Sequence, residues 1–192
     1  MILGSHNSWS YLPVRKWWMK PIAFTARCQS VDIRNQYEQY GVRCFDLRVR
    51  FNKYGQGIVA HGCVEYCYTA SKIYEDLAWI NEKGDCHVRV IHEVRTVRQY
   101  KNRRKDLFRH FCSQLEGEYK SIRFWCGRNL CTWGYDYHFD GVEPTCDEKY
   151  ASVCPPKLID DLWPWLYARL HNKNLRAKET DKEILLIDYV NI

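Results

Sequence analysis

The residues with the most chemical potential sit at the ends of short apolar segments. His6 follows the lead MILG and opens the polar run SHNS, and His61 closes the segment GIVAHG. Asp46 and Arg48 alternate with apolar residues in VRCFDLRVRF, Glu93 lies in HVRVIHEV and Asp188 in EILLIDYV. Two imidazoles, a guanidinium and carboxylates gathered on one rim suit transfer at a phosphate. One imidazole takes a proton from the nucleophile and the other donates one to the leaving oxygen. The guanidinium holds the charge that develops between them. Taken singly, each residue also has a structural reading. A histidine can be hydrogen-bonded at a strand end, Asp46 and Arg48 can be an ion pair, Glu93 can cap a loop, and Asp188 can pack polar groups at a barrel mouth. Their joint placement favours chemistry.

The elements that must position these groups follow from periodicity. Residues 1–4 read as a strand, 12–24 as a loop or short helix, and 32–40 as a helix with Asp32 at its N-cap and Gly41 as its stop. In 42–51, Cys44, Asp46, Arg48 and Arg50 share one face and Phe45, Leu47 and Val49 the other, which is strand patterning. KYGQG is a turn into a second strand ending at His61. A helix is expected over 71–81, a strand over 87–94, a helix over 102–116, and strands over 121–127 and 132–139. A last helix near 157–173, interrupted or capped by Pro164, precedes a buried strand at 183–190. This alternation predicts an α/β fold with parallel strands, in which the C-terminal strand ends form the chemical rim. There is no internal repeat or linker, so 1–192 is expected to be a single domain.

Bulk composition narrows the field. An apolar share of 46% and a charged share of 27% are those of a globular domain. The net charge of +6 suits an anionic partner, but it is spread along the chain. Its densest run, Arg95 to His110, reads as the solvated face of a helix. The basic residues form no nucleic-acid-binding motif, so no nucleic acid is expected, and no obligate protein partner is evident. No apolar run approaches a membrane span, and any membrane contact is peripheral. No leader-type segment precedes the first strand, which makes the expected location the cytoplasm, with association at a membrane surface open. In a reducing compartment the ten cysteines are expected to be mainly buried free thiols. Their spacings lack the paired C-x-x-C of a zinc site.

Four ordered motifs, LGSHNS, QYEQYGVRCFDLRVR, IVAHG and VIHEVR, resemble the X region of the phosphatidylinositol-specific phospholipases C. They span residues 3–94, and the later LLIDYV resembles the last barrel strand of that family. The resemblance implies a distorted TIM-type (β/α) barrel of the phospholipase C-like phosphodiesterase class. Full-length bacterial members are longer, so here the barrel would be trimmed. It further implies a phospholipid or other phosphodiester substrate, attack by the inositol 2-hydroxyl on phosphorus, and a cyclic inositol phosphate. By motif position His6 would be the general base, His61 the general acid, and Asp188 the carboxylate that orients His6.

On the metal, the resemblance divides. Arg48 stands where metal-independent bacterial members carry arginine and calcium-dependent members a carboxylate. Asn7, Asp46 and Glu93 match oxygen-ligand positions of the calcium-dependent members. A guanidinium and Ca²⁺ would repel at a few ångströms, so the expectation is no required cofactor, with Asn7, Asp46 and Glu93 as the set that calcium would use. VRKWWMKP resembles the tryptophan-bearing helix of bacterial members, which implies membrane contact through Trp17 and Trp18. Packing of one or both rings inside is the rival reading. Asn7 and Glu93, with Tyr135 and Tyr137, are the expected substrate-binding residues, and Trp133 with these tyrosines suggests a wall for a sugar ring. Two other functions remain open: a metal-assisted glycerophosphodiester hydrolase centred on Glu93 and Asp46, and a non-catalytic phosphate- or membrane-binding protein on the same scaffold.

Overall fold

The computed structural model describes residues 1–67, 70–93, 105–126, 150–152, 163–177 and 184–192. Its centre is an eight-stranded sheet: β1 (Ile2–Ser5), β2 (Cys44–Phe51), β3 (Gly57–His61), β4 (Val64–Glu65), β5 (His87–His92), β6 (Arg123–Cys126), β7 (Tyr150–Ser152) and β8 (Ile184–Ile187). Six of these run parallel in the order β6-β5-β2-β1-β8-β7. The helices are α1 (Ile33–Glu38), α2 (Ala70–Lys83), α3 (Lys105–Glu118) and α4 (Pro164–Ala177), with a 3-10 helix at Trp17–Thr25. This is the expected α/β architecture.

Residue alternation gives the sheet two distinct faces. Phe45, Leu47, Val49 and Phe51 of β2 join the main core with Val88 and Val90 of β5 and with Leu185 and Ile187 of β8. Ile73, Leu77 and Ile80 of α2 and Phe108, Phe111 and Leu115 of α3 complete that core. Each such side chain, fully buried, contributes about 1.5–3 kcal/mol. On the other face, Cys44, Ile184 and Leu186 form a small cluster with Ile2. Gly4 lies there because a Cβ would stand 2.5 Å from Leu186 Cδ2 and 3.1 Å from Cys44 Cβ. Further along the same face the apolar residues give way to Asp46, Arg48, Arg89, Glu93 and Asp188. Apolar packing thus fills one end of the interior and leaves charge at the other.

The local signals act as expected at α1. Asp32 accepts the Asn35 N–H at 2.9 Å, and Gly41 takes the left-handed φ of +71° just beyond the helix. Pro164 is the first residue of α4, where its missing N–H costs nothing, and the helix runs to Ala177, beyond the expected end.

Two features depart from the sequence reading. β3 pairs antiparallel with β2, because only residues 52–56 join them and a parallel crossover needs a dozen or more. Asn52 Oδ1 accepts the N–H groups of Tyr54 and Gln56 in that turn, and Gly55 takes a φ of +82°. The short strands β4 and β7 were not expected; two or three residues carry too little alternation to be read. The strand expected at 132–139, with Trp133, Tyr135 and Tyr137, lies outside the described residues.

Candidate active site

The site arises where one edge of β2 is shared. β1 pairs with Cys44 and Phe45, whereas β3 pairs with Val49, Arg50 and Phe51. The interval between them is held by the loop after β1. Ser8 N donates to Asp46 O at 2.9 Å, and Asp46 N donates to Ser8 Oγ at 2.7 Å. The loop therefore leaves the sheet beside Asp46 and Arg48, and β3 delivers His61 to the same gap. The result is an edge-to-face pair of imidazoles, His6 and His61, with ring centroids 5.2 Å apart.

His6 Nδ1 lies 2.7 Å from Asp188 Oδ1. The hydrogen bond fixes the ring and leaves Nε2 facing inward, 3.9 Å from Asp46 Oδ2. His61 Nδ1 lies 2.9 Å from the Ala26 carbonyl, so its Nε2 is the atom left for chemistry. Burial pushes the His61 pKa down to about 4, and the positive charges of Arg48 and His6 push the same way. At neutral pH this imidazole is uncharged in the ligand-free site.

Asp46 is the hub. Its Oδ2 accepts Arg48 Nε at 2.8 Å and the Asn7 N–H at 3.0 Å, and its Oδ1 lies 3.7 Å from Arg89 Nη1. Burial alone would raise the pKa of this fully buried carboxyl. Arg48, Arg89 and His6 outweigh that and hold it well below the usual carboxylate range. Arg48 also reaches Glu93, Nη1 to Oε2 at 3.5 Å, and stands between the two carboxylates. Glu93 Oε1 accepts the Gly62 N–H at 3.1 Å and thereby ties down the turn after His61, where Gly62 takes a φ of +54°.

Asn7 completes the arrangement in an unusual way. It has a left-handed φ of +42°, a conformation asparagine tolerates better than most residues. Its side chain is fully buried, yet neither Oδ1 nor Nδ2 has a hydrogen-bond partner among the described residues. A buried amide left this way costs free energy unless something else satisfies it.

His6, Asn7, Asp46, Arg48, His61, Glu93 and Asp188 are therefore brought into one constellation. Tyr135 and Tyr137 lie outside the described residues. Trp17 and Trp18 stand apart from the charged cluster, on the 3-10 helix, at 74% and 57% exposure, so inward packing is not their role. Their rings meet edge-to-face at 6.0 Å, and Lys16 Nζ lies 5.9 Å from the Trp18 ring. The helix that carries them is capped by Ala26, the residue that anchors His61. Among the described residues no helix is long and apolar enough to cross a membrane.

Several positioning residues escaped the sequence reading. Gln29 is fully buried and donates to the carbonyls of both His6 and Ile187, while its Oε1 accepts Val190 N–H, so it clamps the ends of β1 and β8 together. Gln36 donates to the Ser8 and Val31 carbonyls. Cys28, fully buried, places Sγ 3.5 Å from His61 Nδ1; burial and the neighbouring Asp188 push its thiol pKa well up. Gln29 and Cys28 sit in a segment without strand or helix periodicity, whereas Gln36 lies on the helix expected over 32–40; for all three only the tertiary fold reveals the partner. The cysteine expectation fits in part among the described residues: Cys28, Cys44, Cys86 and Cys112 are buried, but Cys63 and Cys67 are exposed.

No protein-family model matches the chain, and no curated protein sequence does. Solved structures do. The phosphatidylinositol-specific phospholipase C from Listeria monocytogenes is similar with a TM-score of 0.58 at 16% identity, over 98% of this chain and 87% of that one. A single-substitution mutant of the phosphatidylinositol-specific phospholipase C from Staphylococcus aureus gives 0.55 at 16% identity, over 98% of this chain and 70% of that one. A double mutant of the same enzyme gives 0.51 at 20% identity, over 75% of this chain and 53% of that one. At these identities the likeness establishes the fold, a phospholipase C-like barrel type.

Proposed function

We propose that this chain is a phosphodiesterase that cleaves an inositol-phospholipid type of phosphodiester by attack of a neighbouring hydroxyl, with a cyclic phosphate as intermediate or product. The observation that carries this reading is the facing pair of imidazoles, 5.2 Å apart, each with Nδ1 engaged and Nε2 left over. His6 takes the proton of the attacking hydroxyl, and Asp188 stabilises the imidazolium that forms. His61 delivers a proton to the leaving oxygen, and Arg48 binds the non-bridging oxygens as their charge grows. Asp46 and Glu93 hold Arg48 in place. The unpartnered Asn7 amide offers a donor and an acceptor to a polar substrate group.

No metal is assigned a role in this scheme. A cation at Asn7, Asp46 and Glu93 would have to displace a guanidinium that already lies within 2.8 Å of one carboxylate and 3.5 Å of the other. Trp17 and Trp18 dock the protein on the lipid surface, with Lys16 and Arg15 beside them for anionic headgroups. The reaction class is tested by phosphorus NMR of the protein with phosphatidylinositol, with and without chelator. A cyclic inositol phosphate in both samples is expected. Chelator-sensitive release of glycerol phosphate from a glycerophosphodiester, with phosphatidylinositol untouched, would instead assign the metal-assisted hydrolase.

A further inference from the structure

Cys28 has no place in the scheme above, yet it lies against both imidazoles. One ligand atom from each of His6, Cys28 and His61 falls within 4.8 Å of the others, a grouping of soft and borderline donors on three separate elements. We propose that these three side chains form a binding site for a soft divalent cation of the Zn²⁺ class, and that filling it switches off the chemistry of the cleft. The second half of this statement rests on the reading of His6 as a base, whereas the first half does not.

The geometry supports the site at each ligand. Cys28 Sγ and His61 Nδ1 are 3.5 Å apart. A tetrahedral zinc with bonds of about 2.0 Å to nitrogen and about 2.3 Å to sulfur needs that edge to be about 3.5 Å. Coordination through His61 Nδ1 moves its proton to Nε2 and releases the Ala26 carbonyl. That carbonyl keeps the Tyr66 hydroxyl at 2.8 Å, so no acceptor is orphaned. His6 already donates Nδ1–H to Asp188, the carboxylate–histidine relay that fixes a metal-binding tautomer and raises its basicity. Sulfur and imidazole nitrogen select zinc-like ions over calcium or magnesium.

The charge of Arg48 opposes a cation here but does not forbid it. Arg48 is paired with Asp46 and Glu93, and Arg89 with Asp46. Asp188 adds a third carboxylate against these two guanidiniums, while Arg50, which donates to the Gly62 and Glu93 carbonyls, is paired in turn with Glu65. On binding, the thiol proton of Cys28 passes to solvent and the thiolate becomes the anionic ligand. His6 Nε2, the lone pair needed to accept the hydroxyl proton, is then bonded to the ion, so hydrolysis stops.

The test uses Co²⁺ as a spectroscopic probe and Zn²⁺ in competition with a chromophoric chelator, on the full chain kept reduced. Wild type should bind one Co²⁺ with a thiolate-to-cobalt charge-transfer band. Cys28→Ser should lose the band and bind Zn²⁺ at least about tenfold more weakly, and Asp188→Asn should weaken it by about tenfold through the relay. Cys63→Ser, at an exposed thiol, should keep both band and affinity. His61→Gln gives a second removal of a ligand should Cys28→Ser fail to fold, and a thermal melt reports that failure. Absence of a band in wild type, or an unchanged band in Cys28→Ser, would overturn the site. In the activity arm, Zn²⁺ should inhibit phosphodiester cleavage by wild type at concentrations about tenfold below those needed for Cys28→Ser. Metal binding as described with no phosphodiesterase activity in any variant would leave the site standing and remove the proposed reaction. Bound Zn²⁺ in an enzyme that still turns over at full rate would remove the switch.

Discussion

The proton on His61 is the sharpest point of the proposed mechanism. In the ligand-free site its pKa is held down to about 4, first by burial and then by Arg48 and His6. An imidazole with that pKa is about a thousandfold deprotonated at neutral pH and is a poor store of the proton it must donate. The perturbation that resolves this is the substrate itself. A phosphodiester monoanion bound between the rings adds a negative charge roughly 5 Å from His61, which at an effective dielectric constant of about 20 is worth about 3 kcal/mol, or about two pH units. The pKa of His61 in the complex should therefore rise to about 6, close to an unperturbed imidazole. The protein then recruits its general acid only when an anion is present.

Two measurements check this. Histidine NMR titration of the full chain, alone and with a non-cleavable inositol phosphodiester analogue, should show the His61 resonance titrating near 4 without ligand and near 6 with it. In kinetics, the alkaline limb of kcat, which reports the substrate complex, should lie about two units above that of kcat/KM, which reports the free enzyme. Turnover that stays level from pH 7 to 8 while His61 in the complex still titrates near 4 would refute its role as the acid.

Other expectations follow from the same contacts. His6→Ala and His61→Ala should each lower turnover by roughly 10² to 10⁴ with the fold retained, and the double variant should be little worse than either, since the pair acts as one unit; turnover of the single variants on a phosphodiester decides it. Arg48→Lys keeps a charge but loses the planar fork, so kcat should remain badly impaired and added calcium should not restore it; rescue by calcium would return the metal to the mechanism. Because His61 has its pKa lowered on folding, its contribution to stability is present above about pH 6.5 and is lost as pH falls towards 4; urea unfolding at pH 7 and 5 should differ by about 1–2 kcal/mol from this group, a difference that His61→Ala abolishes. Trp17→Ala and Trp18→Ala, at exposed positions, should weaken binding to phosphatidylinositol vesicles while leaving cleavage of a soluble monomeric substrate and the melting temperature nearly unchanged; equal losses on both substrates would reject lipid contact.

What could be read from the sequence and what could not separate along physical lines. Strand ends were legible because alternation with a period of two marks β2, and a polar residue that continues the inward parity must emerge at the rim. That parity carries His6 beyond Gly4, Arg48 beyond Asp46, and Asp188 beyond Leu186. The hairpin at β3 was missed because alternation says nothing of direction. The five-residue interval 52–56, with its Asn52 and Gly55, was the available signal. Gln29 and Cys28 had no local signal, since their roles exist only once β1, β8, β3 and the 3-10 helix meet, and for Gln36 the expected helix gave its element but not its bond to the Ser8 carbonyl.

The buried network around Asp46 shows why the local pattern and the site must be solved together. Asp46 occupies an interior position of β2, where a lone carboxylate would be expelled or neutralised. It is tolerated because the same strand supplies Arg48 two residues on, β5 supplies Arg89 from the position directly opposite, and the loop after β1 supplies the Asn7 N–H. Removing the hub takes away a carboxylate 2.8 Å from the Arg48 guanidinium and 3.7 Å from that of Arg89, and breaking such a buried pair typically costs about 3–5 kcal/mol. Asp46→Asn retains the acceptor oxygen for the Asn7 N–H but loses the charge. It should therefore destabilise the fold in urea titration and let Arg48 swing towards Glu93, with a loss in kcat larger than the loss in substrate affinity. A variant that kept wild-type stability would mean that Arg48 and Arg89 find their counter-charge elsewhere, and that Asp46 belongs to the chemistry alone.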